Sequence, residues 1–261
     1  ISDKHLSYNN ILDVSSGIEC IKEFLEPTCV IIKHNNPCGV SSSSNITLAY
    51  KNALYSDPVS AFGGVFIFNR SIDSKIANDL YKKYITIICA PSFTKKALFK
   101  LKNKKNLILI ITKRLKLNKY DKRSVIGGVI SQSKNFKMIN KRSIKVINQY
   151  RINNKIISDL IFALKICKHV KSNAIVLANN KTTIGIGAGQ MSRIDAANIA
   201  LSKIKIKNKI KKFVAASDGF FPFNDCVKLL KKNGCDGLIT PSGSKNDNNL
   251  IFTLTTKAQF L

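Results

Sequence analysis

A chain of 261 residues with 44% apolar and 22% charged side chains is long enough to bury one large core or two modest ones, which excludes stapled mini-domains, fibrous repeats and intrinsic disorder. The formal charge of +28 points first to nucleic acid. However, only six of the 43 basic residues are Arg (Arg70, Arg114, Arg123, Arg142, Arg151, Arg193), the side chain that bidentate phosphate and base readout favours.

With Asn and Ile abundant and Trp absent, the lysines read as accumulation at permissive surface positions, and no specific nucleic acid is expected. Their field still draws anionic small molecules into a cleft.

In chain order, periodicity predicts a helix over 11–25, a buried strand over 29–34, a helix over 46–55 and a strand over 64–68. The alternation continues with a helix over 74–84, a strand over 85–89, a helix over 94–101 and a strand over 107–111. Residues 112–150 are rich in Lys, Arg and Asn, carry the pair Gly127 and Gly128, and read as a connection between two halves. The second half restarts with a helix over 156–170, a strand over 174–178, a Gly-rich turn, and a helix over 192–204. A strand over 213–217, a helix over 224–232 and a strand over 237–239 complete it. This rhythm predicts an α/β fold on a parallel or mixed sheet, in two subdomains, 1–125 and 126–261.

The longest apolar runs, such as 107–112, fall far short of the roughly 18–20 residues that span a bilayer, so no membrane association is expected. The first residue is Ile1 and nothing ahead of the first helix resembles a leader; the sequence reads as a piece of a longer protein. Seven cysteines without a C-x-x-C pair read as free thiols in a reducing cytoplasm. Cys167 and His169 have no second ligand pair to complete a zinc site, so no metal is expected.

Three loops carry the densest chemistry. KHNNPCG (33–39) follows a buried strand, where α/β sheets place ligand sites. There His34 exchanges a proton near neutrality and Lys33 stabilises negative charge; the plainer alternative is a solvated Lys and a His capping the turn before Pro37. GIGAGQMSR (185–193) sets Gly185, Gly187 and Gly189 ahead of a helix, either as an anion cradle or as a tight turn that needs positive φ. SDGFFPFND (217–225) packs Phe220, Phe221, Pro222 and Phe223 between a strand and a helix. Such rings can clamp a flat heterocycle while Asp218 or Asp225 bonds its amide edge, or they are core and Asp225 is an N-cap.

These three segments occur together with LSYNN (6–10), DPVSAFGG (57–64), IICAPS (87–92), KSNAIV (171–176) and PSGS (241–244), spread from end to end of the chain. In that set and order the chain resembles the transformylase half of the bifunctional purine biosynthesis enzymes, the AICAR formyltransferases fused to IMP cyclohydrolase. The resemblance implies two cytidine-deaminase-like three-layer α/β subdomains without zinc, in a cytoplasmic homodimer with active sites at the subunit interface. It implies formyl transfer from the co-substrate 10-formyltetrahydrofolate to the 5-amino group of AICAR, giving formyl-AICAR and tetrahydrofolate on the way to IMP. On matching positions Lys33 and His34 become the catalytic pair and Asn173 orients the AICAR carboxamide and the His. Asn10, Phe62 and Gly63 line the nucleotide and folate pockets. Phe220, Pro222, Phe223 and Asp225 hold the pterin, with Arg193 and Ile194 beside it.

The family's phosphate-contacting segment ahead of LSYNN and its cyclohydrolase domain are absent from this sequence. Thr86 stands where the family carries an acidic residue, and Lys257, in an altered C-terminal ending, aligns with a family Arg. Weaker phosphate affinity is therefore expected. Two other readings compete with the enzyme: a non-catalytic folate- or nucleotide-binding descendant of the same fold, and a basic nucleic-acid-binding module. The intact Lys33, His34, Asn173 and Asp225 argue against the first.

Overall fold

The computed structural model describes residues 5–112, 117–136, 139–141, 144–146, 153–205, 210–221, 223–241 and 253–256. Helix α1 (Tyr8–Ile21) leads into the hairpin β1 (Thr28–Lys33) and β2 (Asn36–Ser42), followed by α2 (Ile46–Ser56) and β3 (Val65–Phe68). Then come α3 (Ser74–Tyr81), β4 (Ile87–Ala90), α4 (Lys95–Lys102) and β5 (Ile108–Ile111). After β6 (Tyr120–Val125), β7 (Gly128–Ser133) and β8 (Ile144–Val146) the same sequence of elements begins again. It runs through α5 (Asn154–Cys167), the hairpin β9 (Ile175–Asn179) and β10 (Thr182–Gly187), α6 (Arg193–Lys205), β11 (Phe213–Ser217), α7 (Asp225–Lys232), β12 (Cys235–Pro241) and β13 (Thr253–Thr256).

Among the described residues eleven strands form one mixed sheet in the order β5-β4-β3-β1-β2-β10-β9-β11-β12-β13-β8. Each half places its hairpin innermost and its parallel strands outward: β3, β4 and β5 in one, β11, β12 and β13 in the other. The halves meet where β2 and β10 run antiparallel, with Thr182 opposite Ser41. Alternating side chains build three layers, as the pleat requires. Val30, Ile32, Val176 and Ala178 face α1 and α5 in one core shared by both halves. Cys29 and Ile31 face α2, α3 and α4, whereas Ile175 and Leu177 face α6 and α7.

Polar contacts stitch the seam on both faces. Glu23, just past α1, meets Lys168 Nζ at 2.7 Å and His169 Nε2 at 3.3 Å at the end of α5. Burial opposes its charge, but the bonds from His169 and Lys168 hold its carboxyl below the usual range. On the other face Lys203 of α6 meets Asp57, which follows α2, at 2.8 Å. Between them Thr183 Oγ1 accepts from the Val40 N–H at 2.9 Å and lies 2.7 Å from Ser56 Oγ.

The predicted strands and helices are present with shifted ends, and three regions differ from expectation. NPCG is not a loop: it opens β2, with Pro37 tolerated beside the register shift at Ile31 and Ile32, where a missing N–H is harmless. The glycines of GIGAGQ are not an anion cradle either. Gly185 and Gly187 lie within β10, and a Cβ on them would fall 2.1 Å from Ala200 O and 1.9 Å from Ala196 O. They are glycines because α6 rests its backbone on the strand; only Gly189, at φ +67, has the conformation of a turn glycine. Finally, the connection 112–150 contains structure. Strands β6 and β7 pair as a separate hairpin, exposed along its whole length, and the 125/126 division lies at its turn.

Candidate active site

The β1–β2 turn presents the Lys33–His34 pair. Lys33 and Asn36 are the last paired residues of the hairpin, and between them His34 and Asn35 take φ of +50 and +62. Two left-handed residues in a two-residue loop make a type I′ turn, whose twist matches the flanking strands. Asn and His are among the few non-glycine residues found there, at a cost on the order of 1 kcal/mol each. The turn is held from two sides. Asp13 Oδ1 on α1 accepts the Asn35 N–H at 2.6 Å. Asn36 accepts the Lys171 N–H at 2.9 Å and donates to the His34 carbonyl at 3.2 Å.

The His34 side chain is exposed and Lys33 is half-buried. Lys33 Nζ donates to the Phe62 carbonyl at 2.8 Å, which places the ammonium against Gly63. That residue has φ +64, and a Cβ on it would lie 3.3 Å from both Lys33 Nζ and the Tyr84 ring. Phe62 stacks on Tyr84 with ring centroids 4.7 Å apart. Thr86 donates its hydroxyl to the Gly63 carbonyl at 2.9 Å, so at this position a hydroxyl braces the turn. A cleft of about 290 Å³ opens beside the pair, lined by Lys33, His34, Asn36, Cys38, Asp57 and Lys203 among others. Burial works against the Asp57 charge, yet Lys203 and the Ser60 hydrogen bonds hold its carboxyl below the usual range. Burial pushes the Cys38 thiol up to about 12, which removes it as a nucleophile.

Asn173 follows a cis peptide bond with Ser172. Its Nδ2 donates to the carbonyls of Gln190 at 2.9 Å and Met191 at 3.0 Å. Both amide hydrogens are committed, so the group left to offer a ligand is an acceptor oxygen. The segments 171–173 and 189–190 are zipped together by the bonds Gly189 N–H to Lys171 O, Asn173 N–H to Gln190 O and Gln190 N–H to Asn173 O.

Asp218 continues the network. Its carboxylate accepts from the Ser172 hydroxyl, from the Ala174 N–H at 3.0 Å and from Arg193 Nη2 at 3.3 Å, while Arg193 Nε donates to Ser217 Oγ at 3.0 Å. Asp218 is therefore an internal organiser, and Asp225 is the carboxylate left to bond a ligand's amide edge. Gly219 leaves room for the guanidinium beside it: a Cβ there would fall 2.1 Å from Arg193 Nη2, and the Arg side chain would have to shift.

The aromatic run divides. Phe221 is buried, but Phe220 is 47% and Phe223 72% exposed, so the all-core alternative fails for these two rings. Asp225 is exposed and opens α7, where its Oδ1 accepts the Cys226 N–H at 2.7 Å; the N-cap position belongs to Asn224. Ile194 packs against the α6/α7 core, and Asn10 donates its N–H to Ser7 Oγ in the first turn of α1. Pro222 and Lys257 lie outside the described residues. A hydrogen bond thus links Lys33 to Phe62, beside Gly63, and another ties the His34 turn to Lys171, in the segment whose Ser172 and Asn173 lead on to Asp218 and Arg193. No hydrogen bond among the described residues ties Asn10, Phe220 or Phe223 into that chain. The sequence reading missed Asp13 and Asn36 as supports of the turn. A signal for Asp13 was present: Asp13 in α1 and Asp159 in α5 are each the sixth residue of a 14-residue helix that precedes a hairpin.

Among the described residues no cluster of His, Cys, Asp or Glu is arranged to hold a metal ion, and no helix is long and apolar enough to cross a membrane.

A family model described as AICARFT/IMPCHase bienzyme matches residues 1–203. The chain is 49% identical over 252 residues to the bifunctional purine biosynthesis protein PurH of Caldicellulosiruptor saccharolyticus, covering 95% of this chain and 48% of that protein. It is 45% identical to the PurH of Acetivibrio thermocellus, over 95% of this chain and 49% of the relative. To the PurH of Buchnera aphidicola it is 43% identical over 96% and 49%. The chain spans about half the length of the curated relatives it matches.

Proposed function

The chain belongs to the AICARFT/IMPCHase bienzyme family, and from that premise we propose that it transfers the formyl group of 10-formyltetrahydrofolate to the 5-amino group of AICAR. The observation that carries this reading is the presentation of Lys33 and His34 on a constrained turn bonded directly to the segment that bears Asn173. The amine nitrogen attacks the formyl carbon, forming the new C–N bond as His34 takes the amine proton. The oxyanion of the tetrahedral intermediate develops beside the Lys33 ammonium. Collapse breaks the bond to the folate nitrogen, which leaves with a proton from Lys33. Asn173 offers its amide oxygen to the carboxamide NH₂ of AICAR and so orients the nucleophile.

Exposed Phe220 and Phe223 supply flat apolar surface for the pterin, and Asp225 accepts from its amide edge. Arg193 and Ile194 adjoin that surface, and Asn10, Phe62 and Gly63 serve the nucleotide and folate pockets; Pro222 and Lys257, outside the described residues, are assigned to pterin and nucleotide binding by the family resemblance alone. Two subdomains, 1–125 and 126–261, assemble as a homodimer with interface active sites. The exposed β6–β7 hairpin, which carries Val129, Ile130 and a fully exposed Ile126, supports this, because a two-stranded sheet is marginal alone and such apolar surface marks an interaction site. All seven cysteines are free, in keeping with a reducing cytoplasm.

The test is single-turnover formyl transfer at saturating AICAR and 10-formyltetrahydrofolate, with His34→Ala as control. Turnover that the control loses establishes the reaction. Absence of turnover at high ligand, with binding retained, makes the chain a non-catalytic binder of the same fold. Phe220→Ala is expected to raise the KM for formylfolate about tenfold, the worth of one good aromatic contact, and to leave that for AICAR unchanged.

A further inference from the structure

The turn that carries His34 is set by a side chain far from it in sequence. Helix α1 lies close on the sheet: a Cβ on Gly17 would fall 2.2 Å from Ile67 Cδ1, and Val14 and Ile18 are buried beneath it. Asp13 is thereby fixed relative to β1, and its carboxylate spans the gap to the Asn35 N–H at 2.6 Å. That bond holds the second left-handed residue of a turn whose first is His34.

The second half repeats the strut. Asp159 of α5 accepts the Asn180 and Lys181 N–H groups at 2.9 and 2.7 Å, and those residues take φ of +49 and +50 in the β9–β10 turn. One scaffold device thus serves two turns, of which one bears an imidazole.

We propose that Asp13 is a positioning residue for His34, fixing the left-handed turn so that the imidazole is held in register with the Asn173 segment. The proposal rests on the formyl-transfer reading and adds to it the group that sets the base. Without the strut, His34 and Asn35 are free to relax toward negative φ, which other L residues prefer, and the ring swings out of line.

The test uses the full chain with Asp13→Ala, Asp13→Asn and Asp159→Ala, read by single-turnover transfer, thermal unfolding and the His34 ring resonances assigned with His34→Ala. Asp13→Ala is expected to slow transfer by about 10- to 100-fold, as misplacement of a reacting group by an ångström does, with the KM for AICAR little changed and the His34 resonances shifted. Asp13→Asn keeps an acceptor oxygen and restores the rate. Asp159→Ala lowers the unfolding temperature at least as far as Asp13→Ala but leaves rate and ring resonances as in the wild type. Equal rates in Asp13→Ala and wild type, or a rate loss in Asp159→Ala that matches Asp13→Ala, overturn the proposal. If the wild type transfers no formyl group the functional reading fails, and Asp13 is then judged by the ring resonances, where no shift in Asp13→Ala overturns it.

Discussion

The two ends of the central seam are built on the same skeleton and carry different chemistry. At one end Asp13 holds the turn His34–Asn35; at the other Asp159 holds Asn180–Lys181. Gly39 and Gly185 each let a helix carbonyl approach to 2.1 Å of a missing Cβ, from Ala53 and Ala200. Asn69 accepts the Thr28 N–H at 2.8 Å just as Asp218 accepts that of Ala174 at 3.0 Å. The differences lie in a few side chains. Lys181 is paired with the Glu26 carboxylate at 2.6 Å, whereas Lys33 is held by a carbonyl, which leaves its charge to act on a ligand. Asn69 turns its amide to the backbone of Phe24 and Glu26, while Asp218 gathers Ser172 and Arg193. The repeated scaffold fixes where turns lie, and the residues placed on them decide whether an end does chemistry.

Paired substitutions test that lesson. The largest difference is expected between His34→Ala and Asn180→Ala: kcat falls by ~10²–10⁴ in the first, as for a general base, and by less than about twofold in the second. Comparable losses in both would end the functional asymmetry. Next come Gly39→Ala and Gly185→Ala, each of which drives a methyl group into a helix carbonyl. Both are expected to destabilise by about 1–3 kcal/mol, read as urea midpoints, and a clearly milder effect at one would show that the two packings are not equivalent.

The smallest effect concerns the Asp57–Lys203 pair across the seam. The Asp57 carboxyl titrates below its ordinary 3.8 in the folded chain, so on acidification the unfolded chain takes up that proton first. The pair's contribution is therefore complete above about pH 4 and is lost as pH falls through the lowered folded value. Lys203→Ala is expected to cost about 1 kcal/mol or less at pH 6, and that difference from wild type should vanish in strong acid. A difference independent of pH would place the loss in packing.

Much of this was legible in the sequence where one element decides its own fate. Apolar runs gave β1, β3 and β11 within a residue, and helix periodicity found α2 and α6. Local signals failed where a distant partner overrides them. Asn36, Pro37 and Gly39 have the composition of a turn, but β1 and α2 make them a strand. Gly185 and Gly187 look like a loop, and only the position of α6 explains them. The left-handed backbone of His34 has no Asn-Gly signature because Asp13 and Asn36 supply the restraint from outside. In the Phe220 to Phe223 run the exposed rings cannot be told from buried Phe221 by type, since exposure depends on where α7 begins. Lys33, His34 and Asn173 were recognisable as types; Asp13 was visible only as half of a repeat.

The hydroxyl-stitched join of β2 to β10 gives the molecule a mechanical character. Most neighbouring strands share ladders of several residue pairs, whereas here a single register pair, Thr182 and Ser41, is supplemented by Thr183, Ser56 and the Ser42 N–H bond to Lys181 O at 2.9 Å. Strand pairing is thinnest at this join, so the two halves are held together there by side-chain hydroxyls, by the Glu23 and Asp57 ion pairs and by the apolar core common to both. The Asn36 bond to the Lys171 N–H crosses the same line, which makes the support of the His34 turn a property of the joined halves and of neither alone.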